Sequence, residues 1–227
     1  MKKILLPLFL ASAFTLQAQD VKEWLALTPI PVEKPAFSNM KNVRDKAFSE
    51  AMLNDYASIN IQNLVPDTNQ AKDHFHQLKW RIATTQQDTI MAEKQNGLSL
   101  NYYAVYFSNP DWISGKLNFT IFGNAEIYVD GVKKLTVNGE KTSFRQIPGE
   151  WLPGKHTILV KALTEGGKIA FANFKADKQF EDVPVKFSIS PKRGKNIYDI
   201  LNGKRVSNLN VSPTGKYAIV GIANIVE

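Results

Sequence analysis

The sequence predicts a mainly β protein, an antiparallel β-sandwich with an N-terminal helix, and three observations predict it. Short runs of alternating apolar and polar residues recur from Leu78 onward. Gly, Pro, Asn or Asp separates each run from the next, as turns between strands require. One earlier stretch, Ser38 to Tyr56, has the different spacing of a helix, with Val43, Ala47, Phe48, Ala51 and Met52 recurring at three and four residues.

The N-terminus comes first in order. Lys2 and Lys3 precede an apolar run from Ile4 to Leu16 that is too short to span a bilayer, and small Ala18 follows. Residues 1–18 are expected to be a secretory signal peptide cleaved before Gln19, which makes the product exported, periplasmic or extracellular, with no membrane insertion after cleavage. The chain has no cysteine, so a lipid anchor at the cut, disulfides, thiol nucleophiles and thiolate metal sites are all excluded, and packing must supply the stability. With 44% hydrophobic and 11% aromatic residues in 227, a core is affordable and disorder is not the reading. Removing Lys2 and Lys3 leaves 26 basic against 21 acidic residues, a net charge of +5 spread along the chain. Nucleic-acid binding normally shows a clustered basic face, so it is not expected.

Residues 19–77 are expected to be an extended arm followed by the amphipathic helix. Pro29, Pro31 and Pro35 disfavour helix in the arm, and Ser38 or Asn39 is placed to cap the helix, with a polar connector after it. Residues 78–190 read as the sandwich, with strands over Lys79 to Thr85, Thr89 to Glu93, Leu98 to Phe107, Lys116 to Phe122, Ala125 to Val129, Ser143 to Ile147, His156 to Leu163, Lys168 to Phe174 and Val185 to Ser190. In the fourth of these, Leu117, Phe119 and Ile121 should face a core while Asn118 and Thr120 face water. Asp130-Gly131 between two strands is the sharpest local signal, a two-residue hairpin turn needing positive φ twice. Residues 191–227 end in Leu209 to Val220, where Ser212-Pro213-Thr214-Gly215-Lys216 reads as a tight turn between strands that bury Val211, Tyr217 and Ile219.

Two phrases suggest families. Ala125-Glu126-Ile127-Tyr128-Val129-Asp130-Gly131, followed by Trp151-Leu152-Pro153-Gly154-Lys155-His156-Thr157-Ile158, resembles galactose-binding-like jelly-roll domains over roughly Leu78 to Phe174. Leu209 to Val220 resembles the opening blade of the β-propeller in secreted serine peptidases of the prolyl-oligopeptidase and dipeptidyl-peptidase family. The fold expectation thus becomes an antiparallel jelly-roll β-sandwich with an N-terminal helix and a C-terminal partial β-propeller blade. The second resemblance implies the front of a longer chain, whose remaining propeller and hydrolase domains would be its partners.

Chemistry is sparse. No Gly-x-Ser-x-Gly elbow is present, and Ser99, in Gly97-Leu98-Ser99-Leu100-Asn101, reads as sheet. No catalytic residue and no cofactor are expected. His74 and His76 lack a third ligand for a metal, His156 caps a turn or faces solvent, and adjacent Glu181 and Asp182 would point to opposite faces of a strand. Ligand binding by aromatics remains. Trp112, in a loop with Asn109 and Asp111, offers a flat apolar surface beside hydrogen-bonding groups, and Trp151 is the second candidate. Three functions stay open: a non-catalytic accessory region of an exported serine peptidase, a secreted carbohydrate-binding module with glycan or peptide as ligand, and a structural adaptor docking through the helix.

Overall fold

The computed structural model describes residues 19–55, 59–62, 64–68, 78–139, 141–192 and 205–223. The expected signal peptide and the His74/His76 pair lie outside the described residues. The chain divides into two units, Met1–Pro191 and Lys192–Glu227.

The first unit packs two antiparallel sheets around a common core, as the strand pattern predicts. The first sheet orders β1 (Gln19–Asp20), β12 (Gly167–Ala176), β7 (Ile113–Phe122) and β10 (Thr142–Trp151), and β5 (Thr89–Ala92) also pairs with β12. The second orders β4 (Trp80–Thr84), β2 (Glu23–Leu27), β6 (Ser99–Asn109), β11 (Gly154–Thr164), β8 (Asn124–Val129) and β9 (Val132–Val137), with β3 (Ile30–Pro31) and β13 (Lys186–Ser188) on β6. Leu117, Phe119 and Ile121 point inward and are fully buried, meeting Val105, Phe107, Ile127, Ile158 and Val160 from the opposing sheet. The Asp130-Gly131 turn forms as expected, with φ of 50° and 76° and Val129 paired to Val132 across it.

Strand β6 is buried on both faces. Tyr103, Val105 and Phe107 join the inter-sheet core, whereas Leu100, Tyr102, Ala104 and Tyr106 join Leu53, Trp80 and Leu159 in a second cluster on the outer side. The segment after β3 covers that side: Val32, Phe48, Ile59, Ile61 and Leu64 pack on it, and the Tyr106 hydroxyl donates to the Pro66 carbonyl at 2.8 Å.

Two expectations are corrected here. The Gln19–Pro31 segment is extended as expected but is not an arm before the sandwich, since it supplies β1, β2 and β3 to its two sheets. The helix over Ser38 to Tyr56 is also absent from residues 38–55, apart from one 3-10 turn at Glu50–Asp55. Asn42 is the physical reason: its Oδ1 accepts from the backbone N–H of Arg44 (2.9 Å) and Lys46 (3.1 Å), and Asp45 takes a φ of 58°. These local bonds close a tight turn around the Lys41–Ala47 bridge and compete with helix.

The second unit is a hairpin of β14 (Arg205–Val211) and β15 (Ala218–Ala223). Its turn is closed by Gly215 N–H donating to the Ser212 carbonyl at 2.8 Å, with Gly215 at φ 67°. Val211, Tyr217 and Ile219, expected to be buried, are exposed, because a two-stranded sheet has no second layer of its own.

Candidate functional site

The sequence candidates gather at one end of the sandwich in unequal roles. Asn109 closes β6, and its Nδ2 donates to the carbonyls of Asp111 (2.8 Å), Leu152 (3.0 Å) and Trp151 (3.3 Å). The amide is a clamp that fixes the Pro110–Trp112 loop against the β10–β11 turn. Trp151 is 5% exposed and packs edge-on against Phe107 (5.5 Å) and Phe174 (5.4 Å), so it belongs to the core and presents no face to a ligand. Trp112 remains accessible, 40% exposed, with its ring edge-on to Phe180 at 4.9 Å. Asp111 beside it is exposed.

His156 clamps the same turn from the other side. Its Nε2 lies 2.9 Å from the Leu152 carbonyl, its Nδ1 lies 2.7 Å from Asp130 Oδ2, and its ring stacks on Phe107 at 4.9 Å. Burial works against the charged imidazole, but the bonds to Asp130 and Leu152 outweigh it and hold the pKa above the usual histidine value. For Asp130, burial is likewise outweighed, by the bonds from His156 and the Thr157 N–H, and its carboxyl stays below the usual range.

Two residues past Trp112, β7 begins an outward-pointing series that the sequence reading did not offer as a binding candidate, in which Asn118 is 9% exposed where water was expected and Thr120 is half-buried. Strand parity sets Ser114, Lys116, Asn118, Thr120 and Phe122 on the face away from the core. The registers of β10 and β12 then line up three rows across the sheet: Asn173, Asn118 and Gln146; Phe171, Thr120 and Phe144; Lys175, Lys116 and Pro148. The first row is a chain of side-chain amides, Gln146 Nε2 donating to Asn118 Oδ1 at 2.8 Å and Asn118 Nδ2 to Asn173 Oδ1 at 2.9 Å. Its two ends, Gln146 Oε1 and Asn173 Nδ2, have no partner among the described residues. Phe144, 58% exposed, and half-buried Phe171 lie together in the row beside it, one on each side of Thr120. Ser114 to Phe122, at about 3.3 Å per residue, makes a track of roughly 26 Å.

The other candidates fall to structure. Ser99 is buried in β6 and its hydroxyl donates to the Thr164 carbonyl at 3.1 Å, while Glu181 and Asp182 are both exposed. Among the described residues no group of three His, Asp or Glu side chains is placed to hold a metal ion, and no helix is long and apolar enough to cross a membrane.

No family model matches the chain, and no curated protein matches it. Among solved structures, it is similar to the beta-glucosidase from Kluyveromyces marxianus in complex with glucose, at 11% identity and a TM-score of 0.36 over 52% of this chain and 15% of that one. It is also similar to the GH31 alpha-xylosidase from Xanthomonas citri, at 10% identity and a TM-score of 0.35 over 77% of this chain and 17% of that one. The chain thus spans under a fifth of each, and likenesses this weak carry no argument about activity. The resemblance of residues 209–220 to the prolyl-oligopeptidase and dipeptidyl-peptidase family is not borne out: no model or curated member of that family matches, and the solved structures matched are glycosidases.

Proposed function

We propose that this chain is an exported, non-catalytic accessory module whose sandwich binds a neutral glycan chain along the outer face of the first sheet. The observation that supports it is the amide row Asn173–Asn118–Gln146 lying in register beside the row Phe171–Thr120–Phe144. A sugar ring presents hydroxyls at its edge and C–H groups on its faces, so it needs amides that both donate and accept beside flat apolar surfaces. The track supplies both, and Trp112 adds an indole just beyond its end. Its charges balance locally, Lys116 and Lys175 lying one row from Glu150 and Asp177, which favours a neutral ligand over a charged one. The signal-peptide pattern of residues 1–18 supports export.

Native gels cast with soluble neutral polysaccharides test the reading. The wild-type protein should be retarded by at least one of them, and Gln146→Ala and Phe144→Ala, both at exposed positions, should each weaken binding by about tenfold while leaving the thermal midpoint near wild type. Unchanged retardation in both variants, or none for any polysaccharide, rejects it.

A further inference from the structure

On the opposite side of the sandwich, the outer face of the second sheet contains a cleft of about 730 Å³ between β8, β9, β11 and the 3-10 turn at Glu50–Asp55. We propose that this cleft is a second, separate binding site, for a small neutral polyhydroxyl ligand of monosaccharide or cyclitol size.

The floor is a buried ion cluster. Glu126 on β8 and Lys161 on β11 are register partners, each 3% exposed or less, with Lys161 Nζ 3.4 Å from the carboxylate. Lys133 Nζ and the Tyr128 hydroxyl both donate to the same carboxylate at 2.7 Å. Burial disfavours the charge on Glu126, yet the bonds from Lys133 and Tyr128 and the nearby Lys161 outweigh it, so the acid stays ionised. A buried ion pair is a weak source of stability, and an apolar pair of the same volume does as well or better. This one therefore needs another reason to stand at the floor of a cavity.

Asn54 points to the ligand. It lines the cleft, is 2% exposed, donates nothing and accepts nothing through its side chain, and both Oδ1 and Nδ2 are shut off from solvent without a partner. Its backbone carbonyl meanwhile accepts a bond from Lys161 Nζ, which fixes the residue at the cluster. Two unpaired polar atoms in a buried position cost on the order of 1–3 kcal/mol each, a penalty that a bound group offering one donor and one acceptor side by side removes.

The chemistry of the lining selects the class. Carboxylate oxygens accept, the ammonium groups donate and the Asn54 amide does both, a mixture matched by hydroxyls, which donate and accept through one oxygen. Glu126 is opposed by two lysines, and Asp55 and Asp130 stand at the cleft as well, so neither an anion nor a cation finds a field of the opposite sign. Ile59, Ile61 and the Tyr128 ring provide the apolar contact that ring C–H groups need.

The test titrates the full chain with D-glucose, D-galactose, D-xylose and myo-inositol at millimolar concentration, following backbone amide resonances. At least one compound should shift the signals of residues 54, 126, 128 and 161, and Asn54→Leu should weaken that binding at least about tenfold while raising the thermal midpoint, because it removes the unpaired amide. Gln146→Ala on the other sheet should leave it unchanged, which separates this site from the glycan track. Should Asn54→Leu not fold, Asn54→Ser carries the same expectation for binding. Absence of a response to all four compounds overturns the proposal, and so does binding that survives the Asn54 substitution.

Discussion

At the residue scale, His156 is the group most sensitive to solution conditions. Both ring nitrogens face oxygens that can only accept, Asp130 Oδ2 and the Leu152 carbonyl, so the site is fully bonded only when the imidazole carries two protons. Its folded pKa is raised, so the stability it contributes is complete below the unfolded value of about 6.5 and declines as pH rises through the folded value. Asp130 runs the other way: its folded pKa is lowered, so its contribution is present above about 4 and is lost as pH falls through the folded value. Denaturant midpoints should therefore peak between those limits and fall from pH 6 toward pH 9. His156→Gln should flatten the upper limb at a cost of about 1 kcal/mol at pH 6, modest because Asp130 is half exposed. A wild-type midpoint that does not change above pH 6 contradicts this. The Asp-Gly turn was legible from two adjacent letters, whereas the histidine that braces it lies 26 positions away and gave no local sign of its partner.

At the element scale, β7 joins β10 and β12 and is the central strand of the first sheet. Gly115 on its core face is there for space: a Cβ at that position would lie 2.7 Å from both the Lys175 carbonyl and the Phe174 ring. Gly115→Ala should cost about 1–3 kcal/mol by urea unfolding, and a cost near zero would mean that the β7–β12 seam yields more readily than its packing suggests. Alternation made this strand readable in the sequence from Lys116 to Phe122, since the inward Leu117, Phe119 and Ile121 are large and apolar and each outward residue is polar or aromatic. The helix failed for an equally local reason. Apolar spacing alone ignores what an Asn side chain can do to its neighbours' N–H groups, and Asn42 closes a turn that leaves Val43 wholly exposed. The same misreading hid Asn54, whose position at the cleft depends on a 3-10 turn where a helix was expected. The amide row was hidden differently: Asn118, Gln146 and Asn173 are far apart in the chain, and only register brings them together.

At the scale of the whole molecule, the second sheet is packed on both sides, with the N-terminal segments forming part of it. Strand β2 lies between β4 and β6, and Trp24 on it is fully buried in the inter-sheet core. Trp24→Ala should thus cost about 3–5 kcal/mol and lower the thermal midpoint steeply, with loss of cooperative unfolding as the extreme result. A small effect would show that β2 is an appendage to a sandwich complete without it. The arm was misread because proline spacing reports only what the backbone refuses, while the strand pairing that decides its shape is made with partners some eighty residues onward.

The pairing of Gln19 with Phe174 sets the timetable of assembly. The first strand among the described residues waits for the last one of its sheet, so closure is a late event in the life of the nascent polypeptide, and most of the loop entropy is lost before that contact can form. Such wiring places the protein among slow folders, with a refolding time nearer seconds than microseconds.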